Sequence, residues 1–173
     1  MLLVVIIGGV IGFILLKKGG SNGPTLTTYT SSDNTFSVGY PTGWQTKQPP
    51  TDVGNGIEFV GTAGQMVIVA HVGSAGDVGS EATALFDAGF CNGNGQGGGF
   101  GGAPTSPQAV SIGGQNWTQE ECDNSTGDKH AAVESVVYKG EFYFIAYESS
   151  KANFASDRSQ YFGAIEQSFK FLS

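Results

Sequence analysis

The stretch Ala131–Glu148 reads AAVESVVYKGEFYFIAYE. Two runs rich in β-branched and aromatic residues flank Lys139–Gly140. A glycine there accepts the positive φ of a tight hairpin turn, so the stretch predicts two antiparallel strands, Ala131–Tyr138 and Glu141–Glu148. Side chains alternate along a strand. Tyr143, Ile145 and Tyr147 therefore share one face, and Phe142, Phe144 and Ala146 share the other. A strand that is apolar on both faces belongs in the middle of a sheet, covered on both sides. The aromatic run is thus a core element rather than a stacking platform for sugars or bases.

The same alternation extends outward. Val110–Ile112 and Gln115–Glu121 flank Gly113–Gly114, and Ile57–Val60 and Gln65–Val72 flank the tight GTAG turn at 61–64. Thr25–Tyr29 and Phe36–Tyr40 lie on either side of the turn cluster Ser31–Asn34. Ser80–Phe90 is a helix candidate, with Ser80 at its cap, Glu81 in its first turn and Gly89 at its end. A second helix is expected over Ala155–Gln167, where Tyr161, Phe162, Ile165 and Phe169 recur at helical spacing. Short hairpins imply a mainly antiparallel sheet, and the order strands–helix–strands–helix predicts an α+β fold with helices flanking that sheet.

Four segments resemble PsbP-like domains. YTSSDNTFSVGYPTGW, with Phe36, Tyr40, Pro41 and Trp44, is similar to their opening. VSIGGQNW resembles their second-half hairpin, GEFYFIAYES their long central strand, and YFGAIEQSFKFL, with Ser168 and Phe169, their final helix. The resemblance covers residues 25–173, and the glycine-rich loop with its cysteines departs from it. It implies an α/β/α sandwich around an antiparallel sheet. It implies no shared catalytic residues, because members of the family are accessory, assembly or binding modules.

The chain has 173 residues and a formal net charge of −7. Its two neighbouring lysines, Lys17 and Lys18, adjoin an apolar segment, so the remaining body is more acidic still. Such a body repels phosphate and offers no basic patch, which argues against nucleic acid and anionic lipid as partners. Cys91 and Cys122 are the only cysteines. They are expected to form one disulfide in an oxidising compartment, the alternative being two separate buried thiols.

Few residues suggest chemistry. GNGQGG matches G-x-G-x-x-G at Gly93, Gly95 and Gly98, but a dinucleotide fingerprint needs a strand before it and a helix after it. Here it lies within Asn92–Ala103, a glycine-rich stretch that reads as a surface loop. His71 and His130 have Asp87, Asp123 and Asp128 as conceivable partners, yet no spacing suggests a metal, and both read as edge histidines. Glu120 and Glu121 are adjacent in a strand, point to opposite faces, and read as a solvated edge. Asn116 and Asn124 each open an N-x-[S/T] sequon and are candidate glycosylation sites on an extracellular chain. No catalytic residue, metal or cofactor is expected.

The first residues, MLLVVIIGGVIGFILLKK, form an apolar segment over 1–18, followed by a hinge at 19–24 and the body at 25–173. The segment lacks a basic n-region and an A-x-A site, so it fits a cleavable signal peptide badly. It resembles the mature N-terminal helix of type IV pilin-like subunits, although the acidic residue usual near its start is replaced by Val4, Val5 and Ile6. On that resemblance Leu2, Leu3, Val4, Val5, Ile6, Ile7, Gly8, Ile11, Gly12, Phe13, Ile14 and Leu15 pack against copies from other subunits, with Gly8 and Gly12 allowing close approach. The expectation is a non-enzymatic extracellular protein. It is a pilin, the structural subunit of a type IV-like pilus, assembled as a helical homopolymer and serving cell adhesion or motility. It would sit in the membrane before assembly and meet a surface or cell target afterwards. The alternative is a membrane-anchored extracytoplasmic PsbP-like accessory or binding protein.

Overall fold

In the computed structural model of the protein, residues 23–49, 54–74 and 103–172 are described. The hairpin that anchors the sequence reading joins β8 (Lys129–Tyr138) to β9 (Glu141–Ser150). Lys139 has φ 52° and Gly140 φ 82°, the paired positive values of a turn whose twist matches that of the strands. β9 lies at the centre of a seven-stranded sheet. On one side of it follow β5 (Met66–Ser74), β4 (Asn55–Val60) and β3 (Gln45–Lys47). On the other follow β8, β7 (Gln115–Asp123) and β6 (Gln108–Ile112). Every pairing is antiparallel. β9 is buried on both faces: Tyr143, Ile145 and Tyr147 join one core cluster, and Phe142, Phe144 and Ala146 the other.

A smaller sheet packs against the first face. β2 (Phe36–Pro41) lies between β1 (Leu26–Thr30) and the two-residue β10 (Lys170–Phe171). The helix α1 covers the rest of that face. It runs as an α-helical turn Phe154–Asp157, a π-helical turn Arg158–Phe162 and an α-helix Gly163–Ser168. Phe154, Phe162 and Ile165 are its buried apolar residues. Phe169, just past α1, stacks on Phe36 at 5.7 Å between ring centroids and meets Trp117 edge-on at 5.2 Å, tying the two sheets together.

The end of α1 is fastened by one hydroxyl. The Gly39 amide donates to Ser168 Oγ at 2.7 Å, and that hydroxyl lies 2.6 Å from the Ile165 carbonyl, to which it donates. A Cβ on Gly39 would come within 3.1 Å of the same oxygen, so this close approach requires glycine. Ser168→Ala leaves the Gly39 N–H without its acceptor and is expected to cost about 1–2 kcal/mol, read as a lower denaturation midpoint at unchanged m-value.

The expected α+β architecture, a sheet flanked by helices, is corrected, and the hydrophobic helix expected over 1–18 lies outside the described residues. Among the described residues the chain is mostly strand, with one helical element of 15 residues on one face. Much of the cover expected from helices is supplied by the small sheet, because Phe36 and Val38 of β2 and the neighbouring Phe169 bury against the large sheet. β3 and β10 escape the sequence reading because they are too short and polar to show alternation. No helix among the described residues is long and apolar enough to cross a membrane. The helix expected over Ser80–Phe90, the glycine-rich loop and the packing residues Leu2–Leu15 lie outside the described residues.

Candidate functional site

Chemistry-bearing side chains collect at two ends of the large sheet, on the face that carries α1 and the small sheet. At the first end His71 of β5 lies opposite Tyr143 of β9 in register, and the two rings stack at 4.9 Å. His71 Nδ1 lies 2.8 Å from Asp33 Oδ2, and Nε2 lies 2.8 Å from Glu141 Oε2. Asp33 also accepts from the Thr35 amide and hydroxyl and from Asn55 Nδ2. A neutral imidazole can donate through only one nitrogen, so two carboxylates select the imidazolium. Burial opposes that charge, but the hydrogen bonds and charges of Asp33 and Glu141 outweigh it and raise the His71 pKa. Burial would likewise raise Asp33, yet the bonds from Ser31, His71 and Thr35 hold its carboxyl well below the usual range.

This triad joins the β1–β2 turn to β5 and to the start of β9. Its pH window follows from the two directions. The raised histidine contributes below its unfolded value of 6.5 and loses that contribution as pH rises through its folded value. The lowered aspartate contributes above 3.8 and loses it as pH falls. His71→Gln is therefore expected to cost about 1–2 kcal/mol near pH 5.5 and distinctly less near pH 9, measured by urea unfolding at both.

At the other end His130 of β8 pairs in register with Asp123 of β7. Its Nδ1 lies 2.8 Å from Asp123 Oδ1, and its Nε2 lies 3.2 Å from Glu121 Oε2. Lys151 Nζ donates to Asp123 Oδ2 at 2.6 Å. Arg158, from the π-helical turn of α1, donates through Nη1 to Glu121 Oε1. Its Nη2 faces Glu134 Oε1 at 3.6 Å and Glu166 Oε1 at 4.0 Å.

Beneath this network lies a fully buried carboxyl. Glu134 of β8 accepts from Gln119 Nε2 at 2.8 Å and from the Tyr147 hydroxyl at 3.0 Å. Burial, and then the charge of Glu166, push its pKa up to about 8. Burial also raises Glu166, against the pull of Arg158. The Tyr147 hydroxyl is driven well above its ordinary value by burial and then by Glu134.

Some sequence readings change accordingly. Neither histidine is a simple edge residue, and Glu121 is not a solvated edge: its carboxylate bridges His130 and Arg158. Asp123, one of the conceivable partners, does meet His130, whereas Asp128 accepts from Asn124 and Thr126. Asp87 lies outside the described residues. Glu134 and Glu166 carry no motif, and for Glu134 the only signal is that it is the one acid in its strand. Among the described residues no group of three or more His, Cys, Asp or Glu side chains is placed to hold a metal ion. Each imidazole instead has a carboxylate on each of its two nitrogens.

Asn116 is exposed on β7. Asn124 is engaged in its turn: its Nδ2 donates to Asp128 Oδ1 at 2.7 Å, and its Oδ1 accepts from the Lys129 amide at 3.0 Å. Cys122 is buried and is not a free thiol, while Cys91 lies outside the described residues.

No protein-family model and no curated protein matches the sequence. Solved structures do. The solution structure of cyanobacterial PsbP (CyanoP) from Synechocystis sp. PCC 6803 matches with TM-score 0.55 and 18% identity, covering 88% of this chain and 96% of that one. The fold is PsbP-like. LpqN, described as involved in cell envelope biogenesis of Mycobacterium tuberculosis, matches at TM-score 0.52 and 10% identity, over 86% of this chain and 91% of that one. A Bacteroides thetaiotaomicron protein matches at TM-score 0.54 and 10% identity, over 84% of this chain and 48% of that one.

The pilin reading is corrected by these matches. They give the body a PsbP-like fold, and neither of the two described by name, PsbP and LpqN, is described as a pilin. Type IV pilus, filament, adhesion and motility rested on the apolar segment alone, which lies outside the described residues. Among the described residues the body buries its apolar faces within two sheets and one helix.

Proposed function

We propose that the chain is an extracytoplasmic PsbP-like accessory or binding module, held at the membrane by its apolar N-terminal segment and acting without catalysis. The observation that carries this reading is the PsbP-like fold over 88% of the chain. A fold alone does not assign an activity, so the site must agree with it. It does: the ring nitrogens of His71 and His130 are engaged by carboxylates, which leaves neither as an available base. The acidic body makes a protein a better partner than a nucleic acid.

The test is made in intact cells. Protease added from outside should digest the body while cytoplasmic markers survive, the chain should stay with membranes after an alkaline wash, and crosslinking should recover one protein partner at constant stoichiometry. A body protected until lysis, or a crosslinked product containing only copies of the chain, overturns the reading.

A further inference from the structure

We propose that Glu134, Glu166 and Arg158 form a proton-operated latch that seats α1 on the large sheet. The helix contributes Arg158 and Glu166, and the sheet contributes Glu134 from β8, with Glu121 and Gln119 of β7 and Tyr147 of β9 around it. His130 faces the cluster through Glu121 and meets Phe154 of α1 edge-on at 4.5 Å. Asp157 of α1 is buried and accepts from Gln65 Nε2 at 3.0 Å, outside the charged group.

The charges do not balance if all carboxyls ionise. One guanidinium faces Glu121, Glu134 and Glu166, and its direct bond goes to Glu121. The Glu134 oxygens have neutral donors, Gln119 and Tyr147, rather than a cation in contact. Glu166 Oε1 is buried with no hydrogen-bond partner. The Arg158 guanidinium, already bonded to Glu121, stands 3.6 Å from Glu134 and 4.0 Å from Glu166, so a second anion there would have only a shared and more distant counter-charge. The seated helix therefore retains one proton on the Glu134–Glu166 pair. When α1 lifts away, Glu166 leaves with it, the two carboxyls separate into water, and that proton is released to solvent. Protons thus bind the seated state more tightly than the open one, and rising pH favours opening.

The remaining contacts of α1 lie outside the charged cluster. Tyr161 packs on Trp44 at 5.5 Å, Phe162 on Tyr147 at 5.1 Å, and Ser168 holds Gly39. The π-helical turn that carries Arg158 marks the place where the helix already departs from regular geometry, as such turns do at working sites.

Amide hydrogen exchange of the full chain tests the latch. Protection of residues 154–168, corrected for the intrinsic pH dependence of exchange, should fall by at least about tenfold from roughly pH 6.5 to pH 9.5, while β9 keeps its protection. Glu134→Gln leaves a single carboxyl at the site, with no shared proton to lose, and should abolish the fall. Glu166→Gln should do the same from the helix side, which keeps the test available where one variant fails to fold. Carboxyl carbon NMR of the unmodified chain adds a readout: Glu134 should titrate in the range where α1 loses protection. Unchanged protection of α1 across that range, or an equal fall in both glutamine variants, overturns the proposal.

Discussion

Phe169→Ala is expected to lower the free energy of unfolding by about 3–5 kcal/mol. Phe169 is buried where three elements meet. It stacks on Phe36 of β2, meets Trp117 of β7 at 5.2 Å and packs against Phe171 of β10 at 4.9 Å. Removing its ring deletes buried apolar surface and leaves a cavity between stacked aromatic groups, which cannot collapse without moving a sheet. Phe169→Leu restores most of the volume but not the stacking, and should recover more than half of the loss. Chemical denaturation followed by Trp117 fluorescence checks both. A loss below about 1 kcal/mol would mean that the small sheet is held elsewhere.

Arg158→Ala should come next, at about 3 kcal/mol near pH 8. Arg158 is the guanidinium facing Glu121, Glu134 and Glu166. Without it the three carboxyls keep their mutual repulsion and lose their cation, and burial already raises two of them. A carboxyl whose folded pKa is raised contributes most below its unfolded value, 4.5 here, and that contribution is lost as pH rises through the folded value. Acidification protonates the orphaned group, so the penalty of Arg158→Ala should shrink markedly near pH 5. Thermal unfolding at both pH values measures the difference. A penalty independent of pH would mean that Arg158 acts through packing of its stem rather than through charge.

Much of the strand framework was legible in the sequence because it rests on local signals. The turn at Lys139–Gly140, the two-faced apolar run of β9 and the helical recurrence of Tyr161, Phe162 and Ile165 each require only a short window of residues. β3 and β10 needed partners. Lys170–Phe171 is a strand only because Ser37 and Phe36 lie opposite it, and nothing within two residues records that. The same holds for the ion pairs. Glu121 and Arg158 are 37 residues apart in the chain, and Asp33 and His71 are 38 apart. Their types are ordinary and their spacing is arbitrary, so no motif announces them.

Composition and alternation by themselves determined an acidic body, a central strand buried on both faces, mainly antiparallel pairing and a helix near the C-terminus. These follow from charge and from the two-residue period of a strand, which are properties of neighbours along the chain. Only the tertiary structure decided that a second sheet covers the first, that both histidines are bracketed by carboxylates, and that Glu134 lies buried opposite Glu166 and Arg158. The physical reason is that the energy of a buried charge depends on what surrounds it in space, and those surroundings are assembled from distant segments only when the chain folds.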